Sequence, residues 1–124
     1  MTLGLVSLGM NAESLKGHLE LLVLAIVATG PVHGYGVIDA LRDRSDGSFD
    51  LAEGTVYPVL HRLERAGLLQ HEWSEASGRR RKLYSLTAAG TAKLTDQRRG
   101  WAEFVHAVES VLDTGRRQWQ PTMA

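Results

Sequence analysis

The 124-residue chain contains no cysteine. That excludes disulfides, iron–sulfur clusters, thiolate zinc sites and cysteine nucleophiles together, and it fits a cytosolic protein. There is no excess of charge either: 14 Lys and Arg balance 14 Asp and Glu. No apolar run is long enough for a bilayer span of about 20 residues; the best, Leu19 to Ala28, is interrupted by Glu20. The apolar opening, Leu3 to Met10, has no basic residue before it and no small-residue cleavage site after it, unlike a secretory signal. The expectation is a soluble, cytoplasmic protein with no membrane partner. Internal repeats and low-complexity segments are absent as well.

Enzyme motifs are missing too. His18, His33, His61, His71 and His106 are scattered, with no His-Glu-x-x-His zinc motif. There is no Gly-x-Ser-x-Gly elbow and no P-loop, and Gly34-Tyr35-Gly36 is too short for a dinucleotide fingerprint. We expect no catalytic residues, no cofactor and no metal site. What is present is a hydrophobic fraction of 44%, enough for one core in a chain of this length.

The charge balance conceals a segregation. Residues 1–53 carry three cations against seven anions, a balance of −4. Residues 54–90 carry six cations (Arg62, Arg65, Arg79, Arg80, Arg81 and Lys82) against three anions, a balance of +3. Residues 91–124 stand at +1. A neutral total argues against a nucleic-acid partner; a basic middle argues for one, depending on where folding puts it.

Apolar periodicity gives the frame. Ser14 suits an N-cap for a helix over about 15–29, apolar nearly all round and therefore buried. Gly30-Pro31 ends it. A second helix runs over about 34–44, with Val37, Ile38 and Leu41 on one face. Asp46-Gly47-Ser48 is a turn, and Phe49-Asp50-Leu51 a short extended piece able to pair at a sheet edge. A third helix spans about 53–66 with Val56, Leu60 and Leu63 as its buried stripe, and Pro58 makes its first turn irregular. Residues 68–75 and 81–86 alternate as two strands around a Gly-containing turn, a hairpin. Thr87 suits the N-cap of a last helix reaching about Leu112, roughly 39 Å long.

This order predicts a mainly α fold with a small β-hairpin: a winged helix-turn-helix plus a long C-terminal dimerisation helix. The expected organisation is a flexible segment over 1–14, the winged helix-turn-helix over 15–86, the dimerisation helix over 87–113 and a flexible tail over 114–124. On the third helix the buried stripe leaves Thr55, Pro58, His61, Arg62 and Arg65 outward, with Tyr57 to one side. Hydroxyl and basic groups there suit phosphates and base edges. The hairpin adds Arg79-Arg80-Arg81-Lys82, with Tyr84 following in the strand. A basic run alone reads as a solvated face; at a hairpin turn directly after such a helix it reads as a duplex-DNA contact.

The last helix carries Leu94, Trp101 and Val108 seven residues apart, with Phe104, Val105, Val111 and Leu112 extending the stripe. One small domain offers little surface to cover it, so a homodimer is expected. Trp73 is read as packing in the wing and Trp119 as a tail residue.

Three segments carry a family resemblance: Leu51 to Leu69 (LAEGTVYPVLHRLERAGLL), His33 to Gly36 (HGYG), and Gly78 to Gly90 (GRRRKLYSLTAAG). In this order they resemble the recognition helix, the start of the second helix and the wing of PadR-type transcriptional regulators, in the small subfamily with a single C-terminal helix. Ala52 departs from the Ser or Asn common at that position and cannot cap through its side chain. The resemblance implies a homodimeric repressor on a palindromic operator, released by a small aromatic or cationic effector. It implies DNA contacts from Thr55, Tyr57, His61, Arg62 and the wing arginines. It also gives Trp101 two readings, dimer core or stacking wall for a flat ligand. The rival classes are a winged helix used only for protein–protein contact, which would lack a basic wing, and a metal-responsive sensor, which would need a Cys or His/Asp cluster.

Overall fold

A computed structural model describes residue 15 and residues 17–75 and 78–113. Ser14, the 1–14 segment, the turn residues Ala76 and Ser77, and the 114–124 tail with Trp119 lie outside the described residues. The elements are α1 (Leu19–Val27), β1 (Val32–His33), α2 (Gly34–Arg44), α3 (Glu53–Arg65), β2 (Leu69–Ser74), β3 (Arg81–Leu86) and α4 (Ala88–Leu112). The contacts divide the chain after Leu94 into two units.

The first unit is built on α1. Its Leu19, Val23, Leu24, Ile26 and Val27 are buried, as expected for a helix apolar on most of its circumference. It starts later than its pattern suggested: Gly17 and His18 form a turn in which the His18 N–H bonds the Leu15 carbonyl at 2.8 Å. Leu15 is still buried in the core. At the other end the Thr29 hydroxyl bonds the Ile26 carbonyl, and Gly30 at φ +141° turns the chain out.

α2 buries Val37, Ile38 and Leu41, and α3 buries Val56, Val59, Leu60 and Leu63. Val59 is an addition to the stripe read from spacing. Ala52 is the α3 N-cap and makes no side-chain cap; its carbonyl instead accepts from Thr55 and Val56 at 3.0 and 3.1 Å. The helix is continuous through Pro58, on its exposed side. Gly67, at φ +81°, ends the turn, and the Leu68 N–H closes on the Leu63 carbonyl at 2.9 Å.

The sheet departs from expectation in one respect. It has three antiparallel strands in the order β1-β3-β2, and the third is Val32–His33 rather than Phe49–Leu51. Val32 faces Tyr84 and His33 faces Leu83. The Phe49 N–H is taken by the Ser45 Oγ at 2.8 Å, and Phe49 and Leu51 pack against the core instead of pairing. Thr87 caps α4 as its residue type suggested: its Oγ1 accepts from the Gly90 N–H at 3.0 Å and donates to the Gly67 carbonyl at 2.7 Å. Gly90 lets this turn lie against the Leu68 carbonyl, where a Cβ would collide with backbone.

Two assignments change. Leu94 is 6% exposed and belongs to the core of the first unit, so it is not a residue of the exposed stripe further along α4. Tyr84 is 1% exposed, in the same core, so its ring is not available as a surface contact. Burial raises its phenol to about 12, ahead of the effect of the Glu64 charge.

In the second unit, from Thr95 onward, Trp101, Phe104, Val108, Val111 and Leu112 are exposed. Val105 is half-buried. The Trp101 and Phe104 rings lie 5.8 Å apart.

Candidate nucleic-acid interface

α3 organises the candidate surface through its helical period. With Val56, Val59, Leu60 and Leu63 inward, the opposite ridge is Gly54, Pro58, His61 and Arg65, all exposed. Thr55 and Arg62, seven residues apart, lie along one flank. Tyr57 and Glu64, also seven apart, lie along the other.

Both flanks are held. On the first, the Arg62 Nε is 3.6 Å from the Glu20 carboxylate of α1. On the second, Tyr57 is half-buried against the start of α2, where a Cβ on Gly34 would come within 2.5 Å of the hydroxyl end of its ring. Only glycine at 34 permits this approach. Tyr57 meets Tyr35 edge-on at 6.2 Å, and the Tyr35 hydroxyl donates to the Glu53 carboxylate at 2.5 Å. That hydrogen bond raises the Tyr35 phenol; burial raises that of Tyr57.

Glu64 joins α3 to the wing. Its carboxylate accepts from the His71 Nδ1 on β2 and lies 3.5 Å from the Lys82 Nζ on β3. Burial pushes the Glu64 carboxyl up, but the His71 hydrogen bond and the Lys82 charge outweigh it and leave the group below its ordinary value. His33 donates from Nδ1 to the Lys82 carbonyl at 2.9 Å, fixing β1 to the same strand.

The four wing cations therefore differ. Lys82 is turned toward Glu64, and Arg81 is half-buried. Arg79 and Arg80 are exposed, with no ion pair to a described carboxylate, and the Arg80 guanidinium stacks 4.3 Å over the Trp73 ring. Trp73 is 51% exposed and serves as this platform rather than being packed away. A cleft of about 410 Å³ opens between Tyr35, Tyr57, Trp73 and Arg79 to Lys82. Hydroxyls, aromatic edges and unpaired guanidinium groups around one opening form a surface suited to phosphodiesters.

Residues 23–96 match the transcriptional regulator PadR-like family. The chain is 38% identical over 96 residues to the transcriptional regulator Rv3488 of Mycobacterium tuberculosis, covering 77% of this chain and 87% of that one. The chain belongs to the PadR-like family of transcriptional regulators. Solved structures agree. A PadR-like transcriptional regulator from Bacillus cereus aligns at TM-score 0.72 and 30% identity, over 81% of this chain and 96% of that one. A PadR family regulator from Eggerthella lenta aligns at 0.73 and 31%, over 82% and 88%. The protein is thus a DNA-binding transcriptional regulator with the winged-helix fold.

Of the residues read from the sequence, the structure brings Tyr57, Arg79, Arg80, Arg81, Lys82 and the largely buried Tyr84 around one cleft. It brings His61, Arg65 and Lys82 around a second, with Glu64. Thr55 and Arg62 flank α3 on the side toward α1, and Pro58 lies on the outer ridge. Sequence reasoning missed Tyr35, Glu20, Glu53, Glu64 and His71, whose contacts run between different elements. Among the described residues, no group of three or more His, Asp or Glu side chains is gathered as for a metal ion, and no helix is long and apolar enough to cross a membrane.

The Glu64 connection gives a stability test. Because its folded value is lowered, its contribution is complete above the ordinary value of 4.5 and is lost as pH falls from there through the folded value. Glu64→Gln should lower stability at pH 7 by about 1.5 kcal/mol, typical of a charge-assisted hydrogen bond, and leave acid unfolding shallower. Thermal melts from pH 3 to 7 with parallel slopes for both proteins would contradict this assignment.

Proposed function

We propose that the chain is a cytoplasmic homodimeric repressor that binds a palindromic operator through α3 and the wing, and that a small aromatic or cationic molecule releases it. The observation that carries the DNA contact is the seating of the α3 ridge, His61 and Arg65, beside a wing whose Arg79 and Arg80 have no described carboxylate partner. That basic wing also favours DNA over a purely protein partner. Thr55, Tyr57, Pro58, His61, Arg62, Arg65, Arg79, Arg80, Arg81 and Lys82 form the contact set, with Lys82 released from Glu64 by a phosphate. Replacing Arg79, Arg80 and Arg81 together by Ala should weaken binding to every duplex and reduce the salt slope by about 2–3, one cation contributing about 0.9. Gel shifts with the DNA upstream of the chain's own gene would show this; unchanged affinity and slope would remove the wing from the interface.

The dimer reading rests on the exposed stripe of α4. Trp101, Phe104, Val108, Val111 and Leu112, with Val105 beside them, form an apolar strip that water does not favour. A two-fold pair covering it would place two half-sites about 10 base pairs apart, or a multiple. Light scattering after size exclusion should give twice the chain mass, and Val108→Glu should shift it to the monomer. A monomer in the unaltered protein at micromolar concentration would refute the pairing.

Trp101 is the proposed effector contact. Its ring is 43% exposed and beside Phe104, which suits stacking with a flat molecule at the dimer centre. Titration with planar aromatic cations should quench tryptophan emission and weaken DNA binding, and Trp101→Phe should abolish the quenching. Quenching that survives the substitution would move the site elsewhere.

A further inference from the structure

The Arg62–Glu20 pair has no role in holding the core, since Arg62 lies on an α3 flank and Glu20 at the start of α1, and both are partly exposed. It differs from the Glu64 connection. Glu64 is mostly enclosed, serves two partners and ties three elements together. Glu20 meets Arg62 with side chains 32% and 54% exposed, so the guanidinium remains free to change partner. Among the cations of α3, Arg65 has no ion pair to a described carboxylate, whereas Arg62 does.

We propose that Glu20 limits the DNA affinity of this chain by holding Arg62 in the free protein until acceptors on the duplex compete for it. The inference rests on the reading of α3 as the DNA-contacting helix. A phosphate offers Arg62 a charge of the same kind as Glu20, so moving from Glu20 to a phosphate on random DNA gains little. Two acceptors on a guanine edge offer the guanidinium bidentate geometry as well. The cost of leaving Glu20 falls on every duplex that takes Arg62, so the carboxylate lowers affinity for the preferred site at least as much as for random DNA. An exposed pair of this kind changes an equilibrium by a factor of about five at most, small enough for the right sequence to overcome.

The test uses the full chain and two probes: a pool of random 30-base-pair duplexes, and a single duplex enriched from that pool by the unaltered protein. Affinities are read by fluorescence anisotropy across salt concentrations, with thermal melts as a check on folding. Glu20→Gln should raise affinity for the random pool about two- to fivefold and steepen its salt slope by up to about 0.9, one additional phosphate contact. Affinity for the enriched duplex should rise by at least as large a factor; a rise confined to the random pool would overturn the proposal. Glu20→Asp separates holding from mere charge. It keeps the anion but shortens its reach, and should behave like Glu20→Gln. If Glu20 acted only through its field, Glu20→Asp would behave like the unaltered protein, and the proposal would fail. In an Arg62→Ala background, Glu20→Gln should leave both affinities unchanged; the same rise in that background would also overturn it. If the unaltered chain binds neither probe, the DNA reading fails and the proposal with it. If it binds both and Glu20→Gln changes nothing, only the Glu20 assignment fails.

Discussion

The arrangement depends on the seating of α3. Val56, Leu60 and Leu63 are at most 1% exposed and set the helix into a core made by α1, α2 and the sheet. This leaves one azimuth for the outward ridge and two flanks, and the flank of Tyr57 and Glu64 is then used to position something else. Tyr57 lies over the α2 start because Gly34 leaves room, and Glu64 reaches the two wing strands through His71 and Lys82. A helix held only by its apolar stripe could rock about its axis by some tens of degrees at modest cost. The contacts of Tyr57 and Glu64 oppose that rotation, so the ridge side chains keep a defined direction. A surface that must meet fixed positions along a groove needs this preorganisation.

Much of this was legible in the sequence because it is periodic or local. The spacing of Val56, Leu60 and Leu63 marks the buried stripe, and Thr87 before Ala88 marks a cap by residue type alone. The connections between elements are of another kind. Glu20 and Arg62 are 42 residues apart, and no local pattern ties them. β1 has two residues, too few for alternation to show, and only the pairing of Val32 with Tyr84 reveals it. The inward face of β3 is not legible because the strand opens on two cations, Arg81 and Lys82, followed by Leu83 and Tyr84, so alternation does not mark it. The covered face is chosen by α1 and α2, which pack on β3, not by the strand. Leu94 shows the same ambiguity on a helix. Its spacing from Trp101 and Val108 is seven residues, but the first turns of α4 are already occupied by the core of the first unit. A heptad pattern does not distinguish a stripe with one partner from one whose ends are covered by different surfaces.

The neutral charge of the chain takes on a structural meaning once the ion pairs are placed. Two carboxylates of the acidic first half are engaged at α3. One, Glu20, sits against Arg62, and the other, Glu53, accepts from Tyr35 at the start of α3. Within the basic segment Glu64 takes up Lys82. The formal balance of +3 therefore spreads unevenly, and Arg65, Arg79 and Arg80 stand out as exposed cations without a described carboxylate partner. With a Debye length of about 8 Å at physiological ionic strength, a polyanion at a distance experiences little from this chain. At contact it meets these cations one at a time. Affinity then depends on how many of them the duplex engages together, which depends on shape and register more than on net charge. For a regulator that must leave most of the genome unoccupied, a neutral chain with locally held cations limits nonspecific occupancy without removing any group needed at the right site.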